Sequence, residues 1–166
     1  MIGRIAEAAT EADVAELAAL RTRVAFHLTE EYGAGHWSAP VSERGVWRGI
    51  QESNVLVTRQ AGAIVATLRA AKKKPWAIDP AYFTRVRKPL YILDMAVEPS
   101  FQRQGLGRQL LADAEVFARE YPADALRLDA YDAPAGAGAF YLRCGYREVG
   151  RVVYRRTPLV YFERLL

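Results

Sequence analysis

The chain has 166 residues, 51% of them hydrophobic and 25% charged, which suits one globular domain over residues 1–166 with a single substantial core. No run reaches the roughly 18 consecutive apolar residues of a membrane span, and Met1 to Ala9 lacks the apolar stretch of a secretory signal. One cysteine, Cys144, excludes an intrachain disulfide; with only two histidines no metal site is expected, and the reading is a cytoplasmic protein.

The formal charge is +4 and the pI about 9.3. Basic residues gather at Lys72, Lys73 and Lys74, at Arg85, Arg87 and Lys88, and at Arg151, Arg155 and Arg156. Such clusters are either ordinary solvated surface or the field that draws an anionic ligand such as a phosphate. No zinc finger, basic zipper or aromatic RNA-binding motif is present, so nucleic acid is the weaker partner.

In chain order, Thr10 and Asp13 form a capping box. Behind it Val14, Leu17, Ala18, Arg21, Val24 and Leu28 recur at helical spacing, predicting a helix over Glu11 to Tyr32 that Gly33 and Gly35 end. A weaker helix is expected from Ser42 to Glu52. Val55 to Arg59 and Ile64 to Ala70 read as a hairpin around Gln60-Ala61-Gly62-Ala63. Lys72 to Pro89 is irregular, broken by Pro75, Pro80 and Pro89, and such a connection inside a domain is often functional.

"LYILDMAV", Leu90 to Val97, is nearly all apolar, as a strand covered on both faces should be. After Pro99 and the stretch "QRQGLG", a helix carries Leu106, Leu110, Ala114 and Phe117 on one face and ends at Pro122. Leu126 to Tyr131 is a strand and Ala135 to Cys144 a short helix closed by Gly145. Tyr146 to Tyr154 and Val160 to Arg164 form a last pair of strands joined through Thr157-Pro158. The order βααβββαβαββ predicts an α/β fold, a mostly antiparallel sheet flanked by helices with one parallel pair in its middle.

The two glycines of "QRQGLG" stand where a helix begins. Helix starts offer unpaired N–H groups and the positive end of the macrodipole, and glycines let a phosphate approach that backbone. A Walker A loop is excluded, because no Lys-Ser or Lys-Thr follows the second glycine. The dinucleotide fingerprint also fails: Leu110 occupies the place of its third glycine.

"LDMAVEPSFQRQGLGRQLL" resembles the acetyl-CoA-binding motif of the GNAT superfamily, the GCN5-related N-acetyltransferases. The pattern of an apolar strand ending in Val, then Pro, then Gln/Arg-x-x-Gly-x-Gly/Ala is met by Val97, Pro99, Gln102, Gly105 and Gly107. "RIAEAATEADVAELAAL" is similar to the family's first strand and helix. "AFYLRCGYREVGR" is similar to its Tyr-x-x-x-Gly-Phe segment, with Tyr141, Gly145 and Tyr146 in register.

The resemblance implies a splayed parallel strand pair and acetyl-CoA as acyl donor. It implies that Gln102, Arg103, Gln104, Gly105, Leu106, Gly107 and Arg108 hold the pyrophosphate. Met95, Ala96 and Val97 would pair with the pantetheine arm as an added strand, with an oxyanion site near the Met95 N–H. Tyr141 takes the position whose hydroxyl faces the CoA sulfur. The implied reaction is direct acetyl transfer to a primary amine of a small molecule or peptide.

The sequence departs from the family at three places. Leu93 and Tyr91 fall where relatives carry a base; Asp94 is expected on the face opposite Leu93 and Met95, which leaves the base to Glu30, Glu31 or solvent. Pro134 replaces an Asn that contacts pantetheine, with Asp132 the nearest substitute. Cys144 is read as a packing residue. Two alternatives stay open, a non-catalytic acyl-CoA sensor module and a basic nucleic-acid-binding domain, as does assembly into a homodimer. The aromatics Trp37, Trp47, Trp76, Tyr82 and Phe83 either wall an acceptor pocket or belong to the core.

Overall fold

The computed structural model describes residues 6–166; Arg4 and Ile5 of the expected first strand lie outside the described residues. Strand β1 (Glu7–Ala8) leads into the capping box, where the Thr10 N–H donates to the Asp13 carboxylate at 2.8 Å. A 3-10 turn over Glu11–Asp13 then opens helix α1 (Val14–Tyr32), which buries Leu17, Ala18, Leu20 and Ala25. Helix α2 (Glu43–Glu52) is capped by Ser42, whose hydroxyl accepts from the Gly45 N–H at 3.1 Å.

Strands β2 (Asn54–Gln60) and β3 (Ala63–Ala71) form the expected hairpin. Its two-residue turn places Ala61 at φ 50° and Gly62 at φ 81°, matching the right-handed twist of the strands. Strand β4 (Pro89–Val97), helix α3 (Leu106–Glu120) and strand β5 (Ala125–Tyr131) follow. Helix α4 (Gly138–Arg143) is shorter than the sequence predicts, because Ala133–Gly136 close a turn first, with the Gly136 N–H donating to the Ala133 carbonyl at 2.8 Å. A side chain at Gly136 would collide with the Tyr131 carbonyl.

The last hairpin also corrects the expectation. Strands β6 (Arg147–Tyr154) and β7 (Thr157–Leu165) turn at Arg155 and Arg156, with φ 46° and 69°, so Thr157 and Pro158 already belong to β7. Pro158 is tolerated there because β5 pairs with β7 only from Leu159 onward.

The seven strands form one sheet in the order β1-β2-β3-β4-β5-β7-β6, and β4–β5 is its parallel pair. Helix α3 covers one face, placing Leu110, Leu111, Ala114 and Ala118 with Leu68, Leu90, Leu126 and Phe162. The other face takes α1 and α2, with Leu17, Leu20 and Val46 against Val57 and Ile64. Alternation within each strand supplies both apolar faces.

The connection between β3 and β4 is strapped down. The Tyr161 hydroxyl accepts from the Asp79 N–H at 3.1 Å and donates to the Ala77 carbonyl. Ile78 and Phe83 are buried with Tyr91 and Tyr161. Glu163, 1% exposed, accepts from the Thr84 N–H at 3.1 Å, the Thr84 hydroxyl at 2.6 Å and Arg147 at 3.0 Å. Buried Arg127 donates to the Thr84 carbonyl at 2.7 Å and lies 3.7 Å from the Glu163 carboxylate.

Removing one member of a buried ion pair leaves the other charge uncompensated. Glu163→Ala is therefore expected to destabilise the fold by about 3–5 kcal/mol. Urea unfolding followed by circular dichroism checks this, and a midpoint unchanged from wild type would show that the strap does not depend on Glu163.

Candidate active site

Strands β4 and β5 are hydrogen-bonded only from Pro89 to Tyr91 and Ala125 to Arg127. Beyond that they diverge, and from Ile92 onward β4 pairs with β3 alone. A bulge sits at the divergence. Thr67 faces Ala96 and Arg69 faces Leu93, so β4 spends one residue more than β3 over this interval. Asp94 takes up the excess at φ 55°, a conformation that Asp tolerates better than most residues.

Two arginines hold it there. Arg69 Nε lies 3.0 Å from Asp94 Oδ2, and Arg21 Nη2 of α1 lies 3.0 Å from Oδ1. Leu93 is the cross-strand partner of Arg69, so Leu93 and Asp94 share the α1 face. The expected alternation fails here for that reason. Met95 and Val97 return to the α3 face, packed on its core.

The divergence opens a cleft of about 420 Å³ lined by α1, by residues 92–96 of β4 and 129–131 of β5, and by Tyr141. Tyr141 is buried, its ring edge-on to Phe140 and Tyr146, and its hydroxyl points to Met95 Sδ at 3.8 Å. Burial drives its phenol well above the ordinary tyrosine range, and the charge of Asp129 pushes the same way. Tyr141 therefore stays protonated at neutral pH, in the state that can donate a proton.

The glycine loop borders the same region. Arg103 and Gly105 adopt φ 60° and 86°. None of the N–H groups from Arg103 to Arg108 donates a hydrogen bond among the described residues; the first to do so is Gln109, to the Gly105 carbonyl at 3.0 Å. This leaves the row of free donors and the dipole end that an anion requires. The glutamines serve the loop itself: Gln102 Nε2 donates to the Val97 carbonyl at 3.1 Å and Gln104 Nε2 to that of Ser100 at 3.2 Å.

The two glycines differ. A Cβ at Gly105 meets open space, whereas one at Gly107 would lie 3.1 Å from Phe140 Cζ and 3.5 Å from Met95 Cε. Gly107 thus joins the start of α3 to α4 by close packing, and it brings the loop beside Met95.

Of the expected site residues, Met95, Ala96 and Tyr141 line the cleft. Glu30 and Glu31 are exposed and stand outside it. Asp132 is engaged by Arg151 at 3.0 Å, and Tyr91 accepts from Arg127 at 3.2 Å. Cys144 packs against the core, and burial raises its thiol. Among the aromatics, Trp37 lines the cleft, edge-on to Tyr131 at 5.7 Å; Phe83 is core, and Trp76 is 82% exposed.

One cleft residue was not singled out from the sequence. Asp129 of β5 lines the gap, and its carboxylate has no hydrogen-bond or ion-pair partner among the described residues. Burial first, and then the charge of Asp94, raises its pKa. Its signal was the alternation Leu126-Arg127-Leu128-Asp129-Ala130, which sets a carboxylate on the second face of a strand beside the parallel pair.

A model of the Acetyltransferase (GNAT) family matches residues 21–146, and the chain belongs to that family, which uses acetyl-CoA. An aminoglycoside N(6')-acetyltransferase type 1 from Stenotrophomonas maltophilia is 38% identical over 63 residues, 38% of this chain and 41% of that protein. The match therefore spans less than half of that relative's length. A ribosomal-protein-alanine N-acetyltransferase from Brucella melitensis shares the fold at TM-score 0.71 and 23% identity, over 97% of this chain and 99% of that one. An acetyltransferase structure from Salmonella typhimurium, solved with its cofactor acetyl-CoA, gives TM-score 0.67 at 18% identity, over 97% and 92% of the two chains.

Overpacking of a close contact typically costs about 1–3 kcal/mol. Gly107→Val is expected to destabilise the ligand-free protein by about that amount, and Phe140→Leu in the same chain to recover part of it. Urea midpoints of the single and double variants check this; a Gly107→Val midpoint equal to wild type would show that the helices do not depend on the contact.

Proposed function

We propose that the protein transfers an acetyl group from acetyl-CoA directly to a primary amine of a small molecule or peptide bound in the cleft. The observation that carries this reading is the Tyr141 hydroxyl, buried at the point where β4 loses its pairing to β5. The free N–H groups from Arg103 to Arg108 are suited to the pyrophosphate, and the unpaired side of Met95 to Val97 to the amide-bearing arm. The donor supplies a thioester whose thiolate is a fair leaving group, with a thiol pKa of roughly 8.5.

The remaining work falls to the chain. Tyr141 holds a proton beside Met95 and delivers it to the departing sulfur. The cleft orients the amine: Trp37 and Tyr131 form an aromatic wall beside α1. The exposed Trp76 follows Pro75, which lines the cleft, and so stands near the acceptor's route of entry.

Tyr141→Phe keeps the ring and removes only the hydroxyl. Acid assistance is typically worth about 10² to 10⁴ in rate and less for a good leaving group, so kcat should fall roughly ten- to several hundred-fold. CoA affinity should move by less than the roughly tenfold that 1.4 kcal/mol represents. Thiol release across a panel of amines, aminoglycosides and peptides, with calorimetry for CoA, measures both. Full kcat in the variant removes Tyr141 from the chemistry, and absence of turnover with every amine removes the reading.

A further inference from the structure

We infer that a small pocket between α1, α2 and the sheet binds an anionic group of the acceptor, so that the preferred acceptor is an amine carrying a carboxylate or a phosphate. The inference rests on the transferase reading above and narrows its acceptor class.

The pocket lies beside the cleft and shares two residues with it: Arg21 of α1 and Asp94 of β4 line both. Its other walls include Thr67 and Arg69 of β3 and the side of α2 that carries Arg48 and Gly49. It encloses about 110 Å³. At the roughly 30 Å³ that one water occupies in the liquid, that is room for a group of a few heavy atoms. No residue of the glycine loop lines it, so it is separate from the place proposed for the pyrophosphate. Arg69 reaches it past Gly49, where a Cβ would lie 3.2 Å from the Arg69 Cδ.

Charge decides what the pocket takes. Three guanidiniums line it, those of Arg21, Arg48 and Arg69, against two carboxylates, those of Asp94 and Glu52. Asp94 is already divided between Arg21 and Arg69, at 3.0 Å from each. A guanidinium has five N–H donors. Arg21 spends one on Asp94; Arg69 spends one there and one, at 3.4 Å, on Ser53 Oγ. Arg48 has no hydrogen-bond or ion-pair partner among the described residues, and Glu52, one turn further along α2, does not pair with it. Arg44, one turn before Arg48, is unpartnered as well, and like charges at that spacing destabilise a helix unless an anion offsets them.

Donors therefore outnumber acceptors. The unused ones belong to planar forks that grip a carboxylate or phosphate through two parallel hydrogen bonds. The side chains of Arg21 and Arg69 are each only 23% exposed, so solvent screens them less than it does open surface charges. An acceptor whose amine lies in the cleft extends its anionic group past Arg21 into this pocket. The same field works against an acceptor that carries several positive charges.

The test measures kcat and KM for pairs of amines that differ in the anionic group: leucine against leucinamide, 6-aminohexanoate against hexylamine, and 3-aminopropyl phosphate against propylamine. In at least one pair the anionic member is expected to have the higher kcat/KM, by roughly tenfold or more. Arg48 is exposed, so its replacement leaves the core intact. Arg48→Ala should cut that preference by roughly tenfold, through the KM of the anionic member, with the KM for acetyl-CoA unchanged. Arg48→Lys should restore part of it, and inorganic phosphate should compete with the anionic amine.

Neutral members equal or preferred in every pair overturn the inference, as does a kcat/KM for kanamycin above that of every anionic amine. An Arg48→Ala variant that keeps the preference, or slows both members of a pair alike, overturns it too. Phosphate inhibition that is not competitive with the anionic amine places a separate effector in the pocket and likewise overturns it. Turnover of neutral amines alone removes this inference and leaves the parent reading standing, whereas no turnover with any amine removes both.

Discussion

A parallel pair of strands normally stays together along its length, because each residue given up exposes an N–H and a carbonyl that need partners. Here β4 and β5 pair over three residues and then separate, and the site depends on that separation. The strap from Lys72 to Pro89 steadies the paired end. It crosses the sheet there and ties into Tyr161 and Glu163 of β7 through hydrogen bonds from Asp79 and Thr84. Buried Arg127, from the last paired residue of β5, reaches Thr84 of that strap. The chain thereby closes one end of the gap firmly and leaves the other end free for a ligand's amides.

The bulge at Asp94 decides what faces the gap. Without the extra residue, period-two alternation would carry Met95 to the α1 face and Asp94 to the α3 core, where an unpaired carboxylate would be costly. With it, Asp94 reaches Arg21 and Arg69, and Met95 lies beside Tyr141 and the start of α3. One residue in a left-handed conformation thus keeps a charge out of the core and places Met95 beside the Tyr141 hydroxyl.

Most elements were legible in the sequence. The capping box at Thr10, the hairpin around Ala61-Gly62, the apolar run of β4 and the glycine loop all appear where periodicity and turn chemistry place them. What escaped was set by tertiary contact. The short first turn of α4 depends on the Tyr131 carbonyl lying over Gly136, and the last turn on two arginines at positive φ, a conformation for which Arg carries no signal. In the site, Met95, Ala96 and Tyr141 were named in advance, and Asp94 does lie opposite Met95, but it shares its face with Leu93, because a bulge leaves no mark in an apolar strand. Asp129 was passed over because a lone Asp in a strand becomes distinctive only when its neighbours fail to pair with it.

The same carboxylate links shape to chemistry. Asp94 stabilises the bulge through two arginines, yet its charge still bears on Asp129 across the gap. In a cleft partly screened from water such a like charge disfavours a second ionised carboxylate. Asp129 in turn disfavours the phenolate of Tyr141 and keeps the proposed acid protonated. Burial is the larger cause for both groups, so their poise comes chiefly from the walls of the cleft, and the charges reinforce it in sequence. The backbone irregularity that opens the gap therefore also brings together the charges that shift a carboxylate and a phenol on its two sides.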